Sequence, residues 1–104
     1  MDLSVVIPLF NESESINELH LAIINSLNGK NLDYEIIYID DGSTDNSWSI
    51  INDLSINNRV SGLKFHRNYG KSMALQAGFK RAIGNIVVTM DADLQDDPNE
   101  IYPL

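Results

Sequence analysis

The sequence predicts an α/β domain built on an open, mainly parallel sheet with helices on both faces. Three observations lead there. Short β-branched apolar runs alternate with segments whose apolar residues recur at helical spacing. The helical segments are long enough to carry the chain back over the sheet, so that each strand runs parallel to the last through a right-handed crossover. The runs also lack polar alternation, as strands covered on both faces do.

The elements follow in order. Leu3-Ser4-Val5-Val6-Ile7-Pro8-Leu9 is the first strand. Asn11, with Glu14 three residues on, offers capping-box chemistry, so the first helix is expected to open there. Ile16, Leu19, Ile23 and Leu27 form its apolar stripe, and Gly29 stands where a C-terminal cap belongs. Tyr34 to Asp40 is the second strand. Gly42-Ser43-Thr44-Asp45 is a turn ending in capping residues, and Trp48, Ile51 and Leu54 or Ser55 mark the second helix face. Val60 to His66 is a weaker third strand. Tyr69 to Ile83 is the third helix, with Met73, Ala77 and Phe79 on or near its apolar side, and Gly84 stops it. Asn85 to Met90 is the fourth strand. Asp97-Pro98-Asn99-Glu100 opens a further helix close to Leu104, too short to stand alone in water. Residues 1–104 are therefore read as one domain truncated at its C-terminus, its fourth strand left as an edge open to pairing with another copy. Trp48, Tyr34, Tyr38 and Met73 read as core, His20 as a surface helix residue, and Gly78 with the nearby alanines as small residues that let the third helix approach the sheet.

Composition narrows the function. Hydrophobic residues make up 43% and charged residues 21%, as in soluble globular proteins. The absence of cysteine excludes disulfides, thiolate metal sites and a cysteine nucleophile. No apolar run approaches the ~20 residues of a membrane span, and the N-terminus lacks the basic start of a signal peptide. A cytoplasmic location is expected. Fifteen acids against seven bases give a net charge of -8. That argues against a nucleic-acid partner, which calls for basic surface. An acidic protein that binds a phosphate compound usually does so through a divalent cation.

In open parallel sheets, ligands bind beyond the carboxyl ends of the strands. Those ends carry Pro8, Phe10, Asn11 and Glu12; Asp40, Asp41 and Gly42; His66, Arg67, Asn68, Tyr69, Gly70 and Lys71; and Asp91, Ala92, Asp93, Leu94, Gln95, Asp96 and Asp97. Six aspartates are thereby expected to converge on one edge, beside Arg67 and Lys71. Such a cluster is costly unless a cation joins it. Asp45, Asp96 and Asp97 read as solvated loop acids and helix caps, and His66 as structural. Asp91 and Asp93 flank one residue at a strand end, so their carboxylates can point the same way. With Gln95 near, they make a hard oxygen site suited to Mg2+ or Mn2+. There is no G-x-G-x-x-G after the first strand and no P-loop, so a metal would have to do for a diphosphate what glycine-loop amides do elsewhere.

Four segments carry a resemblance to a known family. Val5-Val6-Ile7-Pro8-Leu9-Phe10-Asn11-Glu12 resembles the opening of the family-two inverting glycosyltransferases, which have the GT-A fold. Ile39 to Asp45 resembles their second motif, Arg67-Asn68-Tyr69-Gly70-Lys71 with Ala74 and Gly78 their third, and Met90 to Pro98 their metal motif. The last segment is most similar to the branch of dolichol-phosphate mannosyltransferase and bacterial polyprenyl-phosphate glycosyltransferases. The resemblance implies the nucleotide-binding half of a GT-A fold, with strand order 3-2-1-4. It implies transfer, with inversion, of a sugar from a UDP- or GDP-linked donor to an acceptor such as a polyprenyl phosphate, at the cytoplasmic face of the membrane. Pro8, Phe10 and Glu12 would line the nucleoside pocket, and Ile39 and Asp41 would hold the base. Asp41 would accept from a ring N–H that uracil and guanine offer and adenine does not. Lys71 would approach the phosphates, Asp91 and Ala92 would contact ribose and diphosphate, and Asp93 with Gln95 would hold the cation. Many relatives have tyrosine at Phe10; stacking survives that change and a hydroxyl contact does not. The family's catalytic base and acceptor site come after the metal motif, so this chain alone is expected to bind donor and transfer nothing.

Three other readings stand beside this one. Asp91-Ala92-Asp93 after an apolar strand fits a haloacid-dehalogenase phosphatase, although that motif ends the first strand of its fold and takes Thr or Val where Leu94 stands. A nucleotidyltransferase would open with a glycine-rich loop that is missing. A non-catalytic nucleotide-binding module has the same binding site as half an enzyme.

Overall fold

A computed structural model describes residues 1–92. Within them the elements run β1 (Leu3–Leu9), α1 (Ile16–Leu27), β2 (Tyr34–Asp40), α2 (Ser47–Leu54), β3 (Val60–Lys64), α3 (Lys71–Arg81) and β4 (Ile86–Thr89). The strands form one parallel sheet in the order β3-β2-β1-β4, as the sequence predicts. Leu3 stands opposite Tyr34 on one side and Ile86 on the other, and Leu9 opposite Asp40.

The central strand has no polar alternation because both its faces are covered. Every residue of β1 is buried. Leu3, Val5, Ile7 and Leu9 join Ile16, Leu19, Ile23, Leu27 and Ile51 in a core under α1 and α2. Val6 faces the other way and packs with Ile37, Ile39 and Ala74 under α3. Gly78 sets that approach: a Cβ there would stand 2.3 Å from Val6 Cγ1 and 2.8 Å from Ile39 Cδ1. β4 lies at the sheet edge, with Ile86 and Val87 exposed. Among the described residues no helix is long and apolar enough to cross a membrane.

Several expectations are corrected. The first helix opens at Ile16, not at Asn11, which has a left-handed backbone (φ 53) and spends its side chain on a neighbouring turn. α3 is shorter at both ends than Tyr69–Ile83, because Gly70 enters it at φ 102 and Ala82 leaves it extended. β3 stops at Lys64 short of His66, and β4 covers only Ile86–Thr89. Met73 and Phe79 are exposed, since α3 touches the sheet along the narrow ridge of Ala74 and Gly78. His20 is buried rather than on the surface: its Nδ1 lies 2.7 Å from the Tyr38 hydroxyl, the partner a buried tyrosine needs. Burial lowers the His20 pKa and raises that of Tyr38.

Candidate functional site

The site is assembled by the turns that follow β1, β2 and β3. After β1 the Asn11 amide N–H donates to Ser43 Oγ at 2.8 Å, and Asn11 Oδ1 accepts from the Thr44 and Asp45 N–H groups at 2.8 and 3.3 Å. The Glu12 N–H donates to Ser47 Oγ at 3.0 Å and the Ser13 N–H to Asp45 Oδ2 at 3.2 Å. The loop after β1 is thus laced to the turn before α2. Partial desolvation pushes the Asp45 carboxyl up, but hydrogen bonds from Ser47 and Ser13 together outweigh it and hold the group down at about 2.

Asp40 and Asp41 part company because neighbouring strand residues face opposite ways. Asp40 is buried in the α1–α2 core; its Oδ1 accepts from the Ser43 N–H at 2.9 Å, and its Oδ2 has no hydrogen-bond partner among the described residues. It does not join a cluster at the sheet edge, so the expected convergence of six aspartates does not include it. Asp41 turns to the α3 side. Its Oδ1 accepts from the Tyr69 N–H at 2.7 Å and its Oδ2 from the Gly70 N–H at 3.0 Å. Gly42 (φ 80) lies so close to the next loop that a Cβ would stand 2.2 Å from the Arg67 carbonyl carbon. Only glycine offers both that backbone and that contact.

α3 then begins at Lys71, whose Nζ stands 2.5 Å from Asp91 Oδ1. The Lys71 side chain is 61% exposed and that of Asp91 37%. Exposed pairs are worth about 0–1 kcal/mol, so each partner is readily exchanged for a ligand. The Arg67 guanidinium lies 4.6 Å from the centre of the Tyr69 ring, and the Tyr69 hydroxyl is 3.1 Å from His66 Nε2. His66 is occupied with loop packing, in line with its structural reading.

Between these turns lies a cavity of about 390 Å3, lined by Pro8, Leu9, Phe10, Glu12, Asp41, Asn68, Gly70, Lys71, Asp91 and Ala92. It opens at the carboxyl ends of β1 and β2 and beside the exit of β4. Seven residues expected from the sequence line it: Pro8, Phe10, Glu12, Asp41, Lys71, Asp91 and Ala92. Ile39 does not, because it is fully buried beneath α3. Asp93 and Gln95 lie outside the described residues. Leu9, Asn68 and Gly70 also line the cavity; the sequence reading placed Leu9 in the first strand and Asn68 and Gly70 in the third motif beyond the third strand, and assigned none of them a contact. Among the described residues no three His, Cys, Asp or Glu side chains form a metal group. Asp91 nevertheless brings a carboxylate to the cavity wall, and the set Asp91, Asp93 and Gln95 is all oxygen, the donor type that Mg2+ and Mn2+ prefer.

Known proteins resemble this chain in sequence and in fold. The profile described as Glycosyl transferase family 2 matches residues 4–104. An undecaprenyl-phosphate 4-deoxy-4-formamido-L-arabinose transferase of Proteus mirabilis is 44% identical over 100 residues, which cover 94% of this chain and 31% of that protein. The chain thus spans about a third of that relative's length. Among solved structures, a mannosyltransferase of Pyrobaculum calidifontis in complex with GDP-Man and Mn2+ superposes with a TM-score of 0.75 at 28% identity, covering 88% of this chain and 27% of that one. S. aureus TarS 1-349 in complex with UDP-GlcNAc gives a TM-score of 0.73 at 26% identity, over 89% of this chain and 27% of that one.

Proposed function

The chain belongs to glycosyl transferase family 2, and from that premise we propose that it forms the donor side of a glycosyl transfer, binding the nucleoside diphosphate of a UDP- or GDP-linked sugar together with a divalent cation. One observation carries the reading: a single cavity at the carboxyl end of the sheet is lined by residues of all four sequence motifs. The phosphatase and nucleotidyltransferase readings fall with the family assignment.

Each residue has a task in this scheme. Phe10, 43% exposed beside the cavity, offers a ring on which a base stacks. Asp41 keeps a second lone pair on each oxygen with which to accept from a ring N–H of uracil or guanine. Lys71 leaves Asp91 for the diphosphate and meets its charge. Asp91, with Asp93 and Gln95, would hold the cation, Asp91 and Ala92 would also contact the ribose and diphosphate, and Pro8 and Glu12 would line the nucleoside pocket. The cation, when bound, neutralises charge on the departing diphosphate. An acceptor phosphate is already anionic and attacks the anomeric carbon from the face opposite the diphosphate. The relatives' names supply the rest: one acts on undecaprenyl phosphate, others bind UDP-GlcNAc or GDP-Man with Mn2+. A polyprenyl-phosphate acceptor, met at the cytoplasmic face of a membrane, is the corresponding proposal here.

Calorimetric titration of UDP, GDP and ADP, with and without Mn2+, tests the reading. Cation and diphosphate share ligands, so each should raise the affinity of the other by the same factor. Asp93→Ala should abolish that coupling and leave the fold intact. Nucleotide affinity that ignores the metal in the unaltered protein would overturn the proposal.

A further inference from the structure

The carboxylate of Asp41 does more than face a base. We propose that Asp41 is a positioning residue for the phosphate side of the site, fixing the start of α3 and through it Lys71. This rests on the donor-binding reading above and adds a role that reading does not contain.

The geometry is a short chain of contacts. Asp41 is 5% exposed, and its two oxygens take the N–H groups of two successive residues, Tyr69 at 2.7 Å and Gly70 at 3.0 Å. Gly70 is the cap of α3 and Lys71 its first residue. An N-terminal helical turn leaves N–H groups without helical partners and carries partial positive charge, so a buried carboxylate holds it firmly. Gly70, at φ 102, has no side chain of its own with which to cap the turn it begins. The register of α3 is therefore set from outside, by Asp41. Lys71 follows directly and reaches Asp91 across the cavity. Loss of the Asp41 charge would free the 69–70 peptide and let the Lys71 ammonium drift from where phosphates bind.

A probe without a base separates this role from base contact. Inorganic pyrophosphate with Mn2+ carries the diphosphate chemistry of the donor and nothing for a base-reading group to touch. Asp41→Asn retains the shape but sets an NH2 group against a backbone N–H. We expect it to weaken Mn2+-pyrophosphate by a factor of about ten or more, the scale of a lost charged hydrogen bond, and Mn2+-UDP by at least as much, because UDP loses the base contact as well. Hydrogen exchange at the Tyr69 and Gly70 amides should accelerate by a comparable factor, while core amides such as those of Val6 and Ile37 keep their rates. In a Lys71→Met background the same change should weaken pyrophosphate far less, because the group it positions is gone. Should Asp41→Asn fail to fold, Asp41→Glu keeps the charge and shifts it by one methylene, and the same three readings apply. Loss confined to UDP, with pyrophosphate affinity unchanged, would overturn the proposal, as would unchanged exchange at residues 69 and 70 or additive losses in the double variant. If the unaltered protein binds neither ligand, the donor-binding reading fails, and the exchange measurement alone still decides whether Asp41 anchors the loop.

Discussion

Two glycines with one backbone conformation isolate the packing on which the site depends. Gly42 and Gly29 have φ values of 80 and 79. Alanine pays the same left-handed penalty at either, roughly 1–2 kcal/mol. Their surroundings differ. Nothing lies within 4 Å of a Cβ on Gly29, whereas one on Gly42 would stand 2.2 Å from Arg67 C, 2.5 Å from Asn68 N and 2.7 Å from Arg67 Cα. All three are backbone atoms, so no change of rotamer relieves the clash. Ordinary contact between carbons begins near ~3.5 Å, and the 67–68 segment must therefore retreat by about 1 Å. Overpacking of this kind adds about 1–3 kcal/mol. Gly29→Ala should thus lose about 1–2 kcal/mol and Gly42→Ala about 2–5 kcal/mol in urea unfolding analysed at constant m. The retreat also pulls the Tyr69 and Gly70 amides from Asp41, so UDP or GDP affinity should fall in Gly42→Ala and hold in Gly29→Ala. Equal destabilisation by the two substitutions, or unaltered nucleotide affinity in Gly42→Ala, would refute the reasoning.

Other expectations follow from the same contacts. Gly78→Ala should cost about 1–3 kcal/mol, because its methyl group meets Val6 and Ile39 at the α3–sheet contact, and a thermal melt as stable as the parent's would contradict that close approach. Burial lowers the His20 pKa, so the unfolded chain takes up this proton first; stability is complete above the ordinary value of 6.5 and declines as pH falls below it. Denaturant unfolding from about pH 7.5 to 5.5 should show that decline in the parent and a flatter profile in His20→Gln, whereas matching profiles would mean that His20 titrates as an exposed residue. UDP and GDP should bind better than ADP by roughly 1.5–3 kcal/mol, the worth of a hydrogen bond to a charged acceptor, and calorimetry giving equal affinities would remove Asp41 from base recognition.

Much of this protein was determined by the sequence alone. Apolar runs without polar alternation, separated by helix-period segments, are enough to specify a parallel sheet covered on both faces, because crossover handedness and double burial leave few alternatives. Motif order placed Pro8, Phe10, Glu12, Asp41, Lys71, Asp91 and Ala92 at strand ends, and all of them line one cavity. What the sequence left open depends on contacts between residues far apart in the chain. The capping chemistry of Asn11 is real, but it serves the Thr44 and Asp45 amides across the site instead of its own helix. His20 reads as a surface residue by its polarity, but four residues after Ile16 and three before Ile23 it falls on the buried face of α1, where the Tyr38 hydroxyl meets it. Ile39 and Asp41 are near neighbours on one strand face, yet α3 covers the first and leaves the second at the cavity, because the helix begins only at Lys71. Local pattern decides which elements form and which way each side chain points. Which backbone amides a carboxylate finds is decided only when three loops close on one another, and that closure is a property of the tertiary structure.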